Sequence, residues 1–429
     1  MSDKEPKCHI EMFINGQWEL AATFQPLERE TSRGTEGSSW FEYDSDYAQA
    51  HLDDPAFALA PDYPVNFELH TLDHWPPLIL DLLPGGHARR RWLTLLDLKD
   101  EPASDIHLLL NGGGNPPGNL RVREAARDPI PGKRGFTMKE VGESEASFIE
   151  YAEATGALVS GASSVQGEAP KFLITKDHDG LYHPDGALPD SEVAEYWLVK
   201  YPRGRIERDT QILKAEAAYY TVAAHFGLRV GKPLQYLNVG RGALFIPRFD
   251  RRVTPSRMTK RLGMWTLSAA AGSYRFGERR SHEEFCEAIA RYSSSAALDL
   301  VEYLKRDILN IALGNTDNHG RNMAFLREPG DNIALAPVFD FAPMFLDPEG
   351  IARATRWSFE TAGQPVDWGR VLACLEEIVD APLDVNIEDI LTRFEEVPDL
   401  LTGANVIKEI RERCMDRIET VKEGLKDLL

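Results

Sequence analysis

The order of hydrophobic patterns predicts an α+β chain folded as two lobes, an α/β N-terminal lobe with an extra module in front of it and a mainly α-helical C-terminal lobe. Three observations carry this. Strand-like runs and turn signals dominate up to Arg251, and beyond it the apolar spacing is mostly helical. At 429 residues the chain is too long for one small core. The first 150 residues are organised differently from the rest, which divides the chain into a hairpin-rich module at 1–150, a small lobe at 151–252 and a helical large lobe at 253–429.

In chain order, His9 to Phe24 alternates apolar and polar residues around Asn15-Gly16. That is a strong hairpin signal, because a type I′ turn needs positive φ at both central positions. Leu27 to Pro64 is acidic, aromatic and turn-rich, and irregular structure is expected there. Asn111 to Asn119, NGGGNPPGN, lacks the Lys-Ser/Thr of a phosphate loop and holds two prolines, so a strand-to-strand connection is expected. Tyr196 to Pro202, YWLVKYP, is an apolar strand pattern with one lysine in its middle. A central strand buries both faces, so Lys200 there needs phosphate or carboxylate; on an edge strand it reaches solvent. Glu216 opens the helical run EAAYYTVAAHFGL, either as the partner of that lysine or as a first-turn acid favoured by the helix dipole.

Gly242 to Arg251, GALFIPRFDR, is a further strand pattern ending in residues that fit a structural Arg/Asp pair. Helices are expected over Ser281 to Ser295, Asp299 to Leu313, Trp368 to Val379, and Ile387 to the end. In the last of these Val406, Ile407, Ile410, Ile418, Val421 and Leu425 form a packing face. The basic runs Arg257 to Arg261 and Arg275 to Arg280 are expected as ordinary exposed loops.

The chemistry concentrates between Gly314 and Asp340, GNTDNHGRNMAFLREPGDNIALAPVFD, a polar stretch that follows an apolar helix pattern and leads into a short hairpin. Asp317 and Asn322 stand five positions apart, and Asp340 follows eighteen later. Phosphoryl transfer asks for such a set: a carboxylate to accept the substrate hydroxyl proton, then an amide oxygen and a second carboxylate on metal. Hard oxygen donors suit Mg²⁺ better than zinc. Asp, Asn and Gly are also the commonest turn formers, so a solvated loop is the plain alternative. A di-metal hydrolase built on Asp317, His319 and Asp340 lacks a further His/Asp cluster elsewhere.

Composition narrows the field. The formal charge of −20 repels nucleic acid, so direct DNA binding is not expected. The opening MSDKEPK has no apolar signal core and no run of about eighteen apolar residues follows, which supports neither secretion nor membrane spanning. Cys8, Cys286, Cys374 and Cys414 are scattered without a CxxC pair, as in a reducing cytoplasm.

The string GNTDNHGRN followed by LAPVFD resembles the catalytic and metal loops of the HipA family, serine/threonine protein kinases that act as toxins in bacterial toxin–antitoxin pairs. The resemblance implies a protein-kinase-like two-lobed fold with ATP in the cleft, Asp317 as catalytic base, and Asn322 and Asp340 as Mg²⁺ ligands. His319 and Arg321 fall at loop positions the family fills with His and a basic residue, on the nucleotide side. SSVQGEAPKFL, from Ser163 to Leu173, is similar to the family's phosphate loop, with Gln166 and Glu168 where the family has smaller residues. It implies nucleotide contacts from Ser164, Val165, Gln166, Gly167 and Lys171, with autophosphorylation at Ser164 or its neighbour Ser163. The family's matching lysine makes Lys200 a phosphate contact. RFDR recurs in its hinge, so Pro247 and Phe249 would face the adenine and Asp250 would meet the ribose or brace the hinge. Leu78 to Trp92 resembles the family's LLP-plus-arginine segment near the end of the small N-terminal module.

The resemblance further implies a cytoplasmic protein substrate such as an aminoacyl-tRNA synthetase, growth arrest as the outcome, and a small helix-turn-helix HipB-like antitoxin that carries the DNA contact. The alternatives are a nucleotide-binding pseudokinase acting as a scaffold and a small-molecule kinase on the same fold.

Overall fold

The computed structural model describes residues 7–128, 134–144, 146–154, 170–328, 330 and 332–429. Its first unit is an antiparallel sheet in the order β4-β3-β2-β1-β5, from β1 (Cys8–Ile14), β2 (Gln17–Pro26), β3 (Ser39–Tyr43), β4 (His70–Leu72) and β5 (Leu120–Val122). Asn15 and Gly16 join β1 to β2 with φ of 49° and 88°, the conformation their sequence predicts. The inward faces bury Phe24, Phe41, Trp75, Leu109 and Val122 in one core.

Two expectations fail in this unit. Residues 27–64 are not simply irregular: Ser39, Phe41 and Tyr43 point inward from β3, and Asp44 caps a helix over Ser45–His51 by accepting from the amides of Asp46 and Tyr47. Burial of aromatic rings against the sheet outweighs the turn-rich composition. The 111–119 segment joins the Asp105–Gly112 helix to β5, so it is a helix-to-strand connection rather than strand-to-strand.

The second sheet runs β7-β6-β8-β10-β9, from β6 (Lys171–Asp177), β7 (Tyr182–Pro184), β8 (Val193–Lys200), β9 (Gln235–Leu237) and β10 (Ala243–Pro247). The lysine-bearing strand β8 is therefore central. Beside the sheet lies the Glu207–His225 helix, which begins nine residues before Glu216. Glu216 is thus a buried mid-helix residue and not a first-turn acid.

A short hairpin, β11 (Arg251–Val253) with β12 (Thr259–Arg261), leads to a three-stranded sheet of β13 (Gly263–Thr266), β14 (Ala324–Glu328) and β15 (Asn332–Leu335). The basic run at 257–261 therefore lies in a hairpin, and its Arg261 packs over the rings of Trp18 and Phe13 instead of lying in an exposed loop. The remaining chain is helical and shares one core that includes Tyr219, Phe285, Leu300, Tyr303, Trp357 and Phe394. The Trp368–Val379 helix has the bounds its periodicity predicts. The segment from Ile387 onward is broken into Ile387–Gly403 and Lys408–Lys426 where Asn405 turns left-handed at φ 54°. No helix among the described residues is long and apolar enough to cross a membrane.

Candidate active site

Lys171 at the start of β6 and Lys200 at the end of β8 are direct register partners, so two ammonium groups share one face of the sheet. Like charges placed so repel, and they need an anion between them. Asp340 supplies it: Lys171 Nζ donates to Oδ2 at 2.7 Å and Lys200 Nζ to Oδ1 at 3.0 Å. Lys200 also donates to Glu216 Oε2 at 2.6 Å. The lysine that the strand pattern marked as needing a partner therefore has two. Asp340 reaches this point five residues after β15 with a left-handed backbone, φ 51°, which Asp tolerates better than most residues.

The electrostatics follow from that geometry. Burial pushes the Asp340 carboxyl up, but Lys171 and then Lys200 override it and hold the group well below the usual range. Lys200 is opposed by burial and still raised above an ordinary lysine, because Asp340 and Glu216 favour its charge. Glu216 is raised: its burial outweighs its share of Lys200, and Asp340 repels it.

The 313–322 loop, the candidate catalytic loop, leaves the Ala296–Ala312 helix and closes in a 3₁₀ turn over Gly320–Asn322. Only glycine fits at Gly320, where a Cβ would collide with the Phe285 ring and Ser268 Oγ. Asp317 is buried with Oδ1 3.2 Å from His319 Nε2. Burial raises its carboxyl, His319 more than offsets this, and the net direction is down, with Asp340 opposing and Lys171 assisting. Asn322 Nδ2 donates to the Asp317 carbonyl at 2.9 Å, which fixes the orientation of the amide and leaves Oδ1 buried without a hydrogen-bond partner. An orphaned, buried amide oxygen costs stability unless a ligand meets it. Asp317 and Asn322 line one small cavity with Asn315, Arg306 and Phe341.

Above the carboxylates lies an apolar pocket whose lining includes Leu173, Leu198, Pro247, Phe249, Met264 and Phe339, with Lys171 and Asp340 at its polar end. A flat aromatic base suits such walls, and its phosphates would then run toward the lysines. Among the described residues no three His, Cys, Asp or Glu side chains gather to hold a metal unaided. The donors Asn322 Oδ1 and Asp340 instead fit Mg²⁺ of the kind that arrives with phosphates and completes its shell from them.

Asp250 lines the pocket and braces the hinge, the second of its two expected roles: its carboxylate accepts from Gly118 N at 2.8 Å and from Arg248 Nε at 2.9 Å and Nη2 at 2.5 Å. Other expected residues lie elsewhere. Arg321 is buried with its guanidinium toward Leu80 O (3.4 Å) and Asp81 (3.8 Å) and over the Phe276 ring, fastening the loop to the N-terminal module rather than to the pocket. Ser163, Ser164, Val165, Gln166 and Gly167 lie outside the described residues.

Two features escaped sequence reasoning. Asn318 clamps the segment after the metal loop, donating to Thr355 O at 3.0 Å and accepting from the amides of Ala354 and Thr355 at 3.0 and 3.1 Å. Pro117 of the N-terminal module lines the apolar pocket. The Asn in GNTDNHG was visible as a turn former, but its partner lies 37 residues away.

Comparison with known proteins gives a consistent picture. Residues 163–399, more than half of the chain, match the family model of the HipA-like C-terminal domain, and residues 27–123 match that of the HipA N-terminal domain. "Putative kinase Y4mE" of Sinorhizobium fredii is 26% identical over 309 residues, covering 68% of this chain and 70% of the relative. "Putative kinase Y4dM" of the same organism is 23% identical, covering 62% and 61%. The HipA chain of a Shewanella oneidensis HipA, HipB and operator DNA complex aligns with a TM-score of 0.65 at 14% identity, over 98% of this chain and 97% of that one, which shows a common fold.

Proposed function

This chain belongs to the HipA family, and on that premise we propose that it is an ATP- and Mg²⁺-dependent serine/threonine protein kinase. The observation that carries the proposal is the Lys171–Asp340–Lys200–Glu216 cluster, set at the polar end of an apolar pocket and coupled electrostatically to the buried Asp317.

The residues divide the work. The pocket of Leu173, Leu198, Pro247 and Phe249 holds the base. Lys171 and Lys200, which both lean on Asp340, turn toward the phosphates and neutralise them, while Glu216 keeps Lys200 in place. Asn322 and Asp340 would hold the Mg²⁺, which when bound would supply positive charge to the phosphoryl group in transfer. Asp317, kept ionised chiefly by the neighbouring His319, accepts the proton of a serine or threonine hydroxyl. Water exclusion comes from burial of most of the loop, including Asn315, Asp317, Asn318, Arg321 and Asn322.

By family analogy the acceptor is a cytoplasmic protein, such as an aminoacyl-tRNA synthetase, whose modification arrests growth, and Ser164 is the site of self-phosphorylation. A HipB-like helix-turn-helix antitoxin is the partner, supported by the HipB present with the aligned Shewanella chain. A formal charge of −20 agrees with DNA contact through that partner alone.

The test is transfer of label from ATP with Mg²⁺ to the protein itself and to a cell extract, beside Asp317→Ala. Label with the native chain only is expected, on serine or threonine. Binding of ATP with no transfer by either protein would overturn the kinase reading in favour of a nucleotide-binding scaffold, and labelled metabolites without labelled protein would make it a small-molecule kinase.

A further inference from the structure

We infer that the 115–118 loop of the N-terminal module forms the outer wall of the nucleotide pocket and sets how tightly the base is held, an inference that rests on the nucleotide reading above. Pro117 lines the same pocket as Leu173, Leu198, Ile246, Phe249 and Met264, although it belongs to the module that folds around a separate core. The pocket is therefore shared by two units.

The loop is fastened to the hinge at three points. Gly118 N donates to Asp250 Oδ2 at 2.8 Å, Arg251 Nη2 donates to Asn115 Oδ1 at 2.7 Å, and the same Nη2 lies 3.2 Å from Pro116 O. Asp250 and Arg251 are each 3% exposed, so these bonds form away from water, where an unmade bond is costly. Gly118 has φ 93°, and a Cβ on it would stand 3.2 Å from Met264 Cβ, another lining residue. A side chain at this position is thus both strained and pressed against the pocket. Pro116 and Pro117 fix their own φ, which presents the wall without an ordering cost when a ligand enters.

A wall held in this way couples the module to the pocket. Any displacement of the 115–118 loop must break a buried hydrogen bond to Asp250 or Arg251 or draw Pro117 away from the base. Pro117 and its anchor Asp250 line the pocket with Leu173, Leu198 and Phe249, whereas the phosphate end is formed by Lys171 and Asp340, the latter also paired with Lys200. The loop should therefore affect adenosine as strongly as ATP.

The experiment is calorimetric titration of the full chain with ATP and with adenosine, comparing native protein, Pro117→Trp and Asn115→Ala. Pro117→Trp, which fills the wall side of the pocket, should weaken both ligands by about tenfold or more, and Asn115→Ala, remote from the base, by about threefold. A folded Pro117→Trp protein with native melting temperature and native affinity for both ligands overturns the inference. Native protein that binds neither ligand would instead defeat the nucleotide reading, and the wall with it. Should Pro117→Trp not fold, the thiol of Pro117→Cys gives an independent readout: saturating ATP should slow its maleimide labelling, and an unchanged rate overturns the inference.

Discussion

The cleft and the hinge each contain a buried quartet of two cations and two carboxylates, yet they are built for opposite purposes. In the cleft, Lys171 and Lys200 meet Asp340, and Lys200 meets Glu216. At the hinge, Arg248 bridges Asp185 (2.6 Å) and Asp250 (2.5 Å), and Arg251 also reaches Asp185 (2.7 Å). The hinge side chains are 0–4% exposed, whereas Lys171, Lys200 and Asp340 are 10–17% exposed, and each quartet lends two residues to the pocket lining, Arg248 and Asp250 from the hinge and Lys171 and Asp340 from the cleft. Guanidinium forks bind carboxylates in fixed planar geometry, while an ammonium is a point charge on a flexible stem that can exchange partners. The hinge quartet locks the fold, and the cleft quartet is the one that, under the proposed function, presents two cations to phosphate.

The contrast is sharpest in stability. Asp250→Asn leaves Arg248 and Arg251 sharing Asp185 alone in a dry site, and breaking a buried pair from one side costs about 3–5 kcal/mol. Urea unfolding should show that loss, and a change under about 1 kcal/mol would put the hinge quartet in the same class as exposed ion pairs. The complementary change, Asp340→Asn, should spare the fold more than Asp250→Asn, since Lys200 retains Glu216. Under the proposed function it should cut phosphoryl transfer by roughly 100-fold or more, through loss of the carboxylate proposed to hold Mg²⁺ and of the anion that orders both lysines. If Asp340→Asn costs more stability than Asp250→Asn and leaves transfer intact, the assignment of roles is reversed.

A third buried cluster decides where acid first acts. His282 stacks on Trp357, lies 2.6 Å from Tyr303 Oη through Nδ1, accepts from Arg353 at 3.0 Å through Nε2, and has Asp307 at 3.4 Å. Burial outweighs the pull of Asp307, Arg353 adds to it, and the imidazole is lowered to about 4. The unfolded chain, with an ordinary value near ~6.5, takes up the proton first. Stability therefore falls as pH drops from about 6.5 to about 4, by up to about 3 kcal/mol, and this contribution is flat below. Asp250, held near about 2 against burial chiefly by Arg248, works in a lower window. Its contribution is complete above the unfolded carboxylate range of about 3.9 and disappears as pH falls through about 2. In His282→Gln the slope between about pH 6.5 and about 4 should become shallower, with His70, also lowered by burial, among the groups that remain; an unchanged slope would assign it to groups other than His282.

What could be read from sequence in these clusters depended on distance along the chain. Asp317, Asn322 and Asp340 could be singled out because their residue types and short spacing suggest a chemistry, and the fold buries the first two around one cavity and pairs the third with two lysines. Lys200 was visible because one cation in an apolar strand poses an energetic question, and its pairing with Glu216 and Asp340 answers it. The hinge was legible only as a local Arg/Asp pair, since Gly118 meets Asp250 across 132 residues and Arg251 meets Asn115 across 136. Arg321 misled for the same reason: a basic residue in a catalytic loop suggests phosphate, but its partners Leu80 and Asp81 are fixed by tertiary packing. Local patterns placed the Trp368–Val379 helix to the residue and still missed β3, whose alternation is short and embedded among turn formers.

The smallest expected effect tests whether a neutral clamp can serve the cleft as charges serve the hinge. Asn318 uses its amide oxygen and nitrogen for three bonds to the backbone of Ala354 and Thr355, joining the catalytic loop to the segment beyond the metal loop. Arg353 next to them is already fixed by Asp307 and Glu360, so the segment does not depend on Asn318 alone. Asn318→Ala removes three neutral hydrogen bonds and leaves buried backbone groups that water can partly satisfy, a loss of about 1–2 kcal/mol. The melting temperature should fall by a few degrees, roughly as that loss implies for a chain of this size. Because Asn318 shares a loop with Asp317 and does not line the base pocket, KM for a phosphorylated protein should rise while KM for ATP stays unchanged. A rise in both would mean that the clamp orders the nucleotide end of the cleft as well, and would draw the cleft closer to the locked character of the hinge.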